Sequence, residues 1–211
     1  MRPALTPAVQ DLLDDLQAWI SQPHHWVVLA GSRATIKTSV LFALADRALQ
    51  RAHPAVFWEF VGGGAYPATL RDYTPAQPPE TWWLLDEWLP YRAPTLGLSS
   101  GIVAITPPVL TRESLMRLPA MGWPFGPEAT VAWMTCERVT PDTVRWTCDT
   151  PRVCRAASGV VPRGFWPIPL PAALHHAPTR PDRSPSCPFP LSVYILPGAP
   201  GRGRPHRRVA A

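Results

Sequence analysis

The chain has 211 residues, 46% hydrophobic and 17% charged, with a formal net charge of +5 and a pI near 9.4. This suffices for one compact domain with flanking pieces. Its uninterrupted apolar runs reach about five residues, against the roughly 20 needed to cross a bilayer, and no basic segment followed by an apolar stretch opens the chain, so the expectation is a cytoplasmic protein with no membrane partner.

In chain order, Thr6-Pro7 offers an N-cap and a first-turn proline, and Val9, Leu12, Leu13, Leu16, Trp19 and Ile20 follow at helical spacing. The spacing predicts an amphipathic helix over 7–20 that packs on the main domain. Pro23-His24-His25 breaks it, and Trp26 to Ala30 has no alternating polar face, as expected of a fully buried strand. "GSRATIKTS" follows at 31–39, and from Thr38 to Gln50 the residues Leu41, Leu44, Ala45 and Ala48 form a stripe of period 3.6 that leaves Asp46, Arg47 and Gln50 outside.

Strand, loop and helix in that order suit a phosphate-binding loop. Backbone N–H groups of such a turn point inward, and the helix N-terminus adds partial positive charge. A lysine then reaches the β and γ phosphates, and the hydroxyl after it ligates magnesium. Of the 20 basic residues, Lys37 is the single lysine in a chain that otherwise uses arginine. A compact ammonium on a flexible stem is a different reagent from a planar guanidinium, so the exception marks a chemical requirement at that position. Gly31, Lys37 and Thr38 meet the pattern G-x-x-x-x-G-K-[ST], while Ile36 replaces its second glycine. A β-branched residue is poorly tolerated at positive φ and brings bulk where backbone would approach phosphate.

"AVFWEF" at 55–60 reads as a strand, and Glu59 stands 22 residues after Lys37. The turn-rich segment after it contains "VGGGAYP", whose glycines read as flexible turn. Next, "TWWLLDEWLP" gives a buried strand, Trp82 to Leu85, that ends in Asp86 and Glu87. An aspartate there can hold magnesium through its water shell, and a glutamate beside it can orient or deprotonate water. "GIVAIT" makes a further strand ending at Thr106, Thr111 to Arg117 suits a short helix, and "ATVAWMTC" at 129–136 is another core strand. "TVRWTC" at 143–148 alternates and pairs with it as a hairpin on the sheet edge.

These residues resemble the P-loop ATPases of the additional-strand, catalytic-glutamate type, the group containing the AAA+, RecA-like and STAND ATPases. The resemblance covers roughly residues 24–136 and carries a degenerate Walker A loop. It implies a three-layer α/β P-loop NTPase with a mainly parallel sheet, five to six strands and helices on both faces. It also implies an ATP site formed by Gly31, Ser32, Arg33, Ala34, Thr35, Ile36, Lys37, Thr38 and Ser39. Thr38 and Asp86 would hold Mg2+, with Lys37, Asp86 and Glu87 catalytic. Glu59 competes with Glu87 as base, and Glu87 is favoured because Glu59 can face outward from a half-buried strand. In that family the strand between the two Walker strands carries a polar sensor at its tip, where Thr106 stands. Arg92 or Arg112 would serve as an arginine finger for a neighbouring subunit of a homo-oligomer.

The organisation expected is an N-terminal helix at 1–22, the core at 23–150 and a Pro/Arg-rich tail at 151–211. Proline, 29 of 211 residues, crowds the second half, so that tail is expected to be largely disordered. Its last stretch, 198–211, carries four arginines and a histidine without an acid, which suits the phosphate backbone of DNA or RNA. "SVYIL" at 192–196 reads as an added edge strand. Cys136, Cys148, Cys154 and Cys187 form no C-x-x-C pair and read as free thiols, and His24-His25 and His175-His176 as loop histidines. Two functions follow: an ATPase, or a catalytically inactive P-loop-like module, marked by Ile36, that binds nucleic acid or a protein. A truncated piece of a larger ATPase is a third reading.

Overall fold

The computed structural model describes residues 6–59, 77–88, 96–107, 122–150, 153–162, 175–176 and 192–196. Helix α1 spans Pro7–Ile20, strand β1 His25–Gly31 and helix α2 Lys37–Gln50. Strands β2 (Ala55–Glu59), β3 (Trp82–Asp86), β4 (Ser100–Ile105), β5 (Thr130–Thr140), β6 (Thr143–Cys148), β7 (Ser158–Pro162), β8 (His175–His176) and β9 (Ser192–Leu196) complete the described elements. All nine strands join one sheet in the order β7-β6-β5-β1-β4-β3-β2-β9-β8. The fold is mixed α/β. Its five central strands, β5-β1-β4-β3-β2, are parallel, and antiparallel strands extend both sides.

Because the central strands are parallel, all their carboxyl ends lie along one edge of the sheet. Strand β1 sits in the middle, with Ala30 opposite Ile105 of β4 and Gly31 opposite Cys136 of β5. This explains its run of apolar residues: both faces are covered, so nothing selects for alternation. By contrast, β6 reads Thr143-Val144-Arg145-Trp146-Thr147-Cys148, with Val144, Trp146 and Cys148 buried and Arg145 and Thr147 exposed.

Both described helices lie on the same face. Val9, Leu12, Leu13, Leu16 and Ile20 of α1 share one core with Val40, Leu41, Leu44 and Ala48 of α2 and with Val27, Leu29, Phe57, Leu84, Ile102, Ala104, Ala132 and Met134 of the sheet. Each fully buried Val, Leu, Ile, Phe or Met side chain among them contributes about 1.5–3 kcal/mol. Trp19 adds direction, its indole N–H donating to the Trp26 carbonyl at 3.1 Å. The opposite face, carrying Trp26, Val28, Ala30, Val56, Trp58, Trp83, Leu85, Val103 and Ile105, packs against Trp88, Leu98 and Trp123 from connecting segments. The helix expected at 111–117 lies outside the described residues, as does "VGGGAYP".

Several expectations change on contact with the fold. Thr6 caps α1 through its carbonyl, which accepts from Val9 and Gln10 at 3.0 Å each, while its side chain makes no cap bond. Asp46 is not on the outer face of α2: it is 7% exposed, and Gln50 donates to its carboxylate at 2.7 Å. Arg47 is likewise half-covered, held by Asp14 at 2.7 Å, because α1 crosses this part of α2. The β5–β6 hairpin forms as expected, but β6 is not the edge. β7, drawn from the segment read as an unstructured tail, pairs with it throughout. At the other side β9 pairs with β2, and His175-His176, read as loop residues, form β8 beyond it.

Candidate functional site

The site is built where β1, β3 and β4 end. After Gly31 the chain turns through Ser32, Arg33 and Ala34, all exposed, and Thr35 and Ile36 before entering α2 at Lys37. Gly31 is required by packing: a Cβ there would lie 2.7 Å from the Cys136 carbonyl oxygen and 2.9 Å from the Thr35 hydroxyl. The left-handed residue of the loop is Ala34, at φ 58°.

Ile36 departs from what the motif led us to expect. Its φ is −78° with ψ 0°, a conformation open to any L-residue, and its side chain is 1% exposed within the core shared by both helices. No positive φ is demanded at this position, so the strain argument against a β-branched residue does not apply. Ile36 acts instead as a hydrophobic anchor for the first turn of α2, its carbonyl accepting from Val40 at 2.9 Å. That turn has no side-chain cap and no acid, which leaves its N–H groups and the positive end of the helix dipole facing the loop.

Lys37 is 3% exposed. Its ammonium folds back over the loop and donates to the carbonyls of Gly31 and Ser32, at 2.9 Å each, and to Thr35 Oγ1 at 3.3 Å. Thr35 in turn donates to the Ser32 carbonyl at 3.0 Å. Burial lowers the pKa of Lys37, opposed by the nearby Glu87, Cys136 and Asp86. Asp86, 1% exposed, shows the complementary effect. Burial raises its pKa, and a hydrogen bond from the Thr38 side chain opposes this most.

Glu87 follows β3 in a left-handed conformation, φ 52°, which costs a non-glycine residue about 1–3 kcal/mol. Four hydrogen bonds fix it there. Its own N–H donates to Asp86 Oδ1 at 3.0 Å. The next residue, Trp88, donates its N–H to the Ala104 carbonyl at 2.8 Å and its indole to the Gly122 carbonyl at 2.7 Å. Thr106, just past β4, donates to the Glu87 carboxylate at 3.2 Å.

Lys37, Thr38, Asp86, Glu87 and Thr106 are therefore brought together from three strand ends that are far apart in sequence. The backbone of Glu59 lies opposite Asp86 in the β2–β3 register, two strands beyond β4 from the loop's own strand. Arg92, Arg112 and the basic segment 198–211 lie outside the described residues. Sequence reading did not single out Trp88 or Cys136. Trp88 is signalled only by its position after the carboxylates, and Cys136 only by its register opposite Gly31. Among the described residues, no group of three or more His, Cys, Asp or Glu side chains is placed to hold a metal ion. No helix there is long and apolar enough to cross a membrane. Comparison with protein-family models, with curated proteins and with solved structures finds no match to this chain.

Proposed function

We propose that the chain is a magnesium-dependent ATPase of P-loop type, with the three-layer arrangement of that class, its phosphates held by the loop from Gly31 to Ser39. The observation that carries this reading is the buried Lys37, lodged at an uncapped helix N-terminus and facing Asp86 and Glu87 at the tip of a strand separated from β1 by one other. That inserted strand, β4, is the arrangement implied for the catalytic-glutamate group. Its tip residue Thr106 stands at the sensor position, bonded to Glu87.

In this reading Lys37 exchanges its carbonyl partners for phosphate oxygens, a charge-assisted contact that a neutral side chain cannot replace. The Thr38 hydroxyl and the Asp86 carboxylate, already hydrogen-bonded to each other, offer oxygen donors of the kind magnesium prefers, and phosphates and water complete its ligands. Bound there, the ion would neutralise charge on the transferring phosphoryl group. Glu87, held by Thr106, orients the attacking water and accepts its proton. Glu87 is favoured over Glu59 because its carboxylate bonds to the strand next to β1. The inactive-module alternative rested on Ile36; its ordinary φ speaks against the strain part of that ground, and the burial of its side chain in the helix core speaks against the bulk part. The basic end, 198–211, is the part suited to nucleic acid, by its charge.

The test is a titration of a fluorescent ATP analogue with magnesium into wild type and Lys37→Ala. Wild type should bind, with the variant weakened roughly 100-fold, the scale of a lost charged hydrogen bond or two. Absence of binding to wild type at millimolar ligand would reject the proposal.

A further inference from the structure

A second pair of reactive groups lies away from the loop, at the β6–β7 turn. Cys148 closes β6, and Cys154 stands six residues on in the turn before β7; both are buried in the same core, 5% and 2% exposed, the Cys148 thiol donates to the Thr150 carbonyl at 3.5 Å, and the two thiols interact with each other. The turn is held in shape around them. Cys148 N–H donates to the Ala157 carbonyl at 2.8 Å and Val153 N–H to the Thr150 carbonyl at 2.9 Å. Asp149 locks to β5, accepting from the Trp133 N–H at 3.1 Å. Next to Cys154, Arg155 grips Asp15 of α1 through its backbone N–H and its guanidinium, at 2.8 Å each. The thiol pair therefore sits under the clamp that ties the sheet edge to α1.

We propose that Cys148 and Cys154 form a reversible disulfide, closed by a small hydroperoxide and reopened by a dithiol, that staples the β6–β7 turn. The chemistry balances in two steps. The Cys148 sulfur attacks one peroxide oxygen, so that an S–O bond forms, the O–O bond breaks, and the other oxygen leaves as an alcohol or water with the thiol proton. Cys154 then attacks the sulfenic sulfur; the S–S bond forms, and hydroxide leaves with the Cys154 proton as water. Two thiols and one hydroperoxide become one disulfide, one alcohol and one water, the sulfurs supplying the two electrons that reduce the O–O bond. A dithiol returns them and becomes oxidised itself.

Electrostatics makes the first step selective. The hydrogen bond from Cys154 pulls the Cys148 pKa down to about 7, while the same contact pushes Cys154 up, so the pair loses its first proton near neutral pH. Thiolate is the nucleophilic form. Cys136 provides the contrast within the same chain: it is 0% exposed, and burial pushes its pKa up to about 12.

The experiment treats the full reduced chain with hydrogen peroxide, alkylates the remaining thiols in denaturant, and maps the peptides by mass spectrometry. The expected result is a Cys148–Cys154 cross-link, two hydrogens lighter, reversed by dithiothreitol, with Cys136 alkylated. Oxidation should raise Tm by roughly 5 °C, as a short loop closed without strain does in a chain of this length. A Cys136→Ser variant should form the same cross-link. Both thiols recovered alkylated, a cross-link to Cys136 or Cys187 instead, or a lower Tm after oxidation would each overturn the proposal.

Discussion

The two ends of α2 bury polar side chains in opposite ways. In its second half, Asp46 takes a hydrogen bond from Gln50 and Arg47 takes Asp14 from α1. Each is matched by a side chain, the first pair within α2 and the second fastening α2 to α1. At its first turn, among the described residues, Lys37 donates to the loop's own carbonyls and a hydroxyl, while Asp86 leans on Thr38 and the Glu87 N–H, and burial moves both pKa values against their charged forms. Charges buried this way work against folding. A chain that keeps them gains something other than stability, and clusters of perturbed groups at a strand-end cleft are where binding and catalysis are found.

The contrast yields graded expectations. The largest belongs to Glu87, whose carboxylate is the proposed base. Glu87→Gln should reduce steady-state ATP turnover by about 10²-fold or more while leaving nucleotide affinity within a few-fold of wild type. A variant that hydrolyses normally would move the base elsewhere, Glu59 first.

Next comes Ile36. Because its side chain fills the core beneath the loop, Ile36→Ala should cost roughly 2–5 kcal/mol in denaturant unfolding. If the substitution were neutral and tightened nucleotide binding, the residue would be blocking the cleft after all.

Smaller is the loss at the fastening end. Arg47→Ala removes a stem packed between the helices and one ion pair, and about 1–2 kcal/mol should go with it, mostly packing, since Asp14 can return to water. This variant should leave the Kd for nucleotide unchanged, which separates the two ends of the helix functionally.

Asp86→Asn works in the other direction. The folded-state pKa of Asp86 is raised above its ordinary 3.8, so from that value upward the folded chain holds a proton that the unfolded chain releases, and wild type loses stability as pH rises through this window. Removing the charge should stabilise the protein at neutral pH, on the order of 1 kcal/mol, the scale of a desolvated polar group. The gap between variant and wild type should close as the pH is lowered toward 3.8. A pH-independent gap would mean that the carboxylate is not the source.

How much of this was legible beforehand follows the same division. The strand before the loop, α2 and the strand ending in Asp86 could be read because continuous apolar runs and a 3.6 period are local signals. β7 could not. Ser158–Pro162 contains two valines among glycine, serine and proline, and what makes it a strand is its pairing with β6. The burial of Asp46 was equally hidden, and so was the hold of Asp14 on Arg47, since α1 crossing α2 is tertiary and no periodicity announces it. Ile36 was misread because a motif carries an assumed backbone conformation with it; here the left-handed residue of the loop is Ala34. The Thr106–Glu87 contact was half-visible: both residues directly follow strands, and the strand order decides whether they meet.

The central claim is that the buried charge at the first turn of α2 serves phosphate. Thermal unfolding of wild type and Lys37→Ala, each with and without millimolar magnesium-ATP, tests it most directly, because a ligand that binds only the folded state raises its Tm. The account predicts a rise of several degrees for wild type and none for the variant. No shift in wild type, or equal shifts in both proteins, would contradict it.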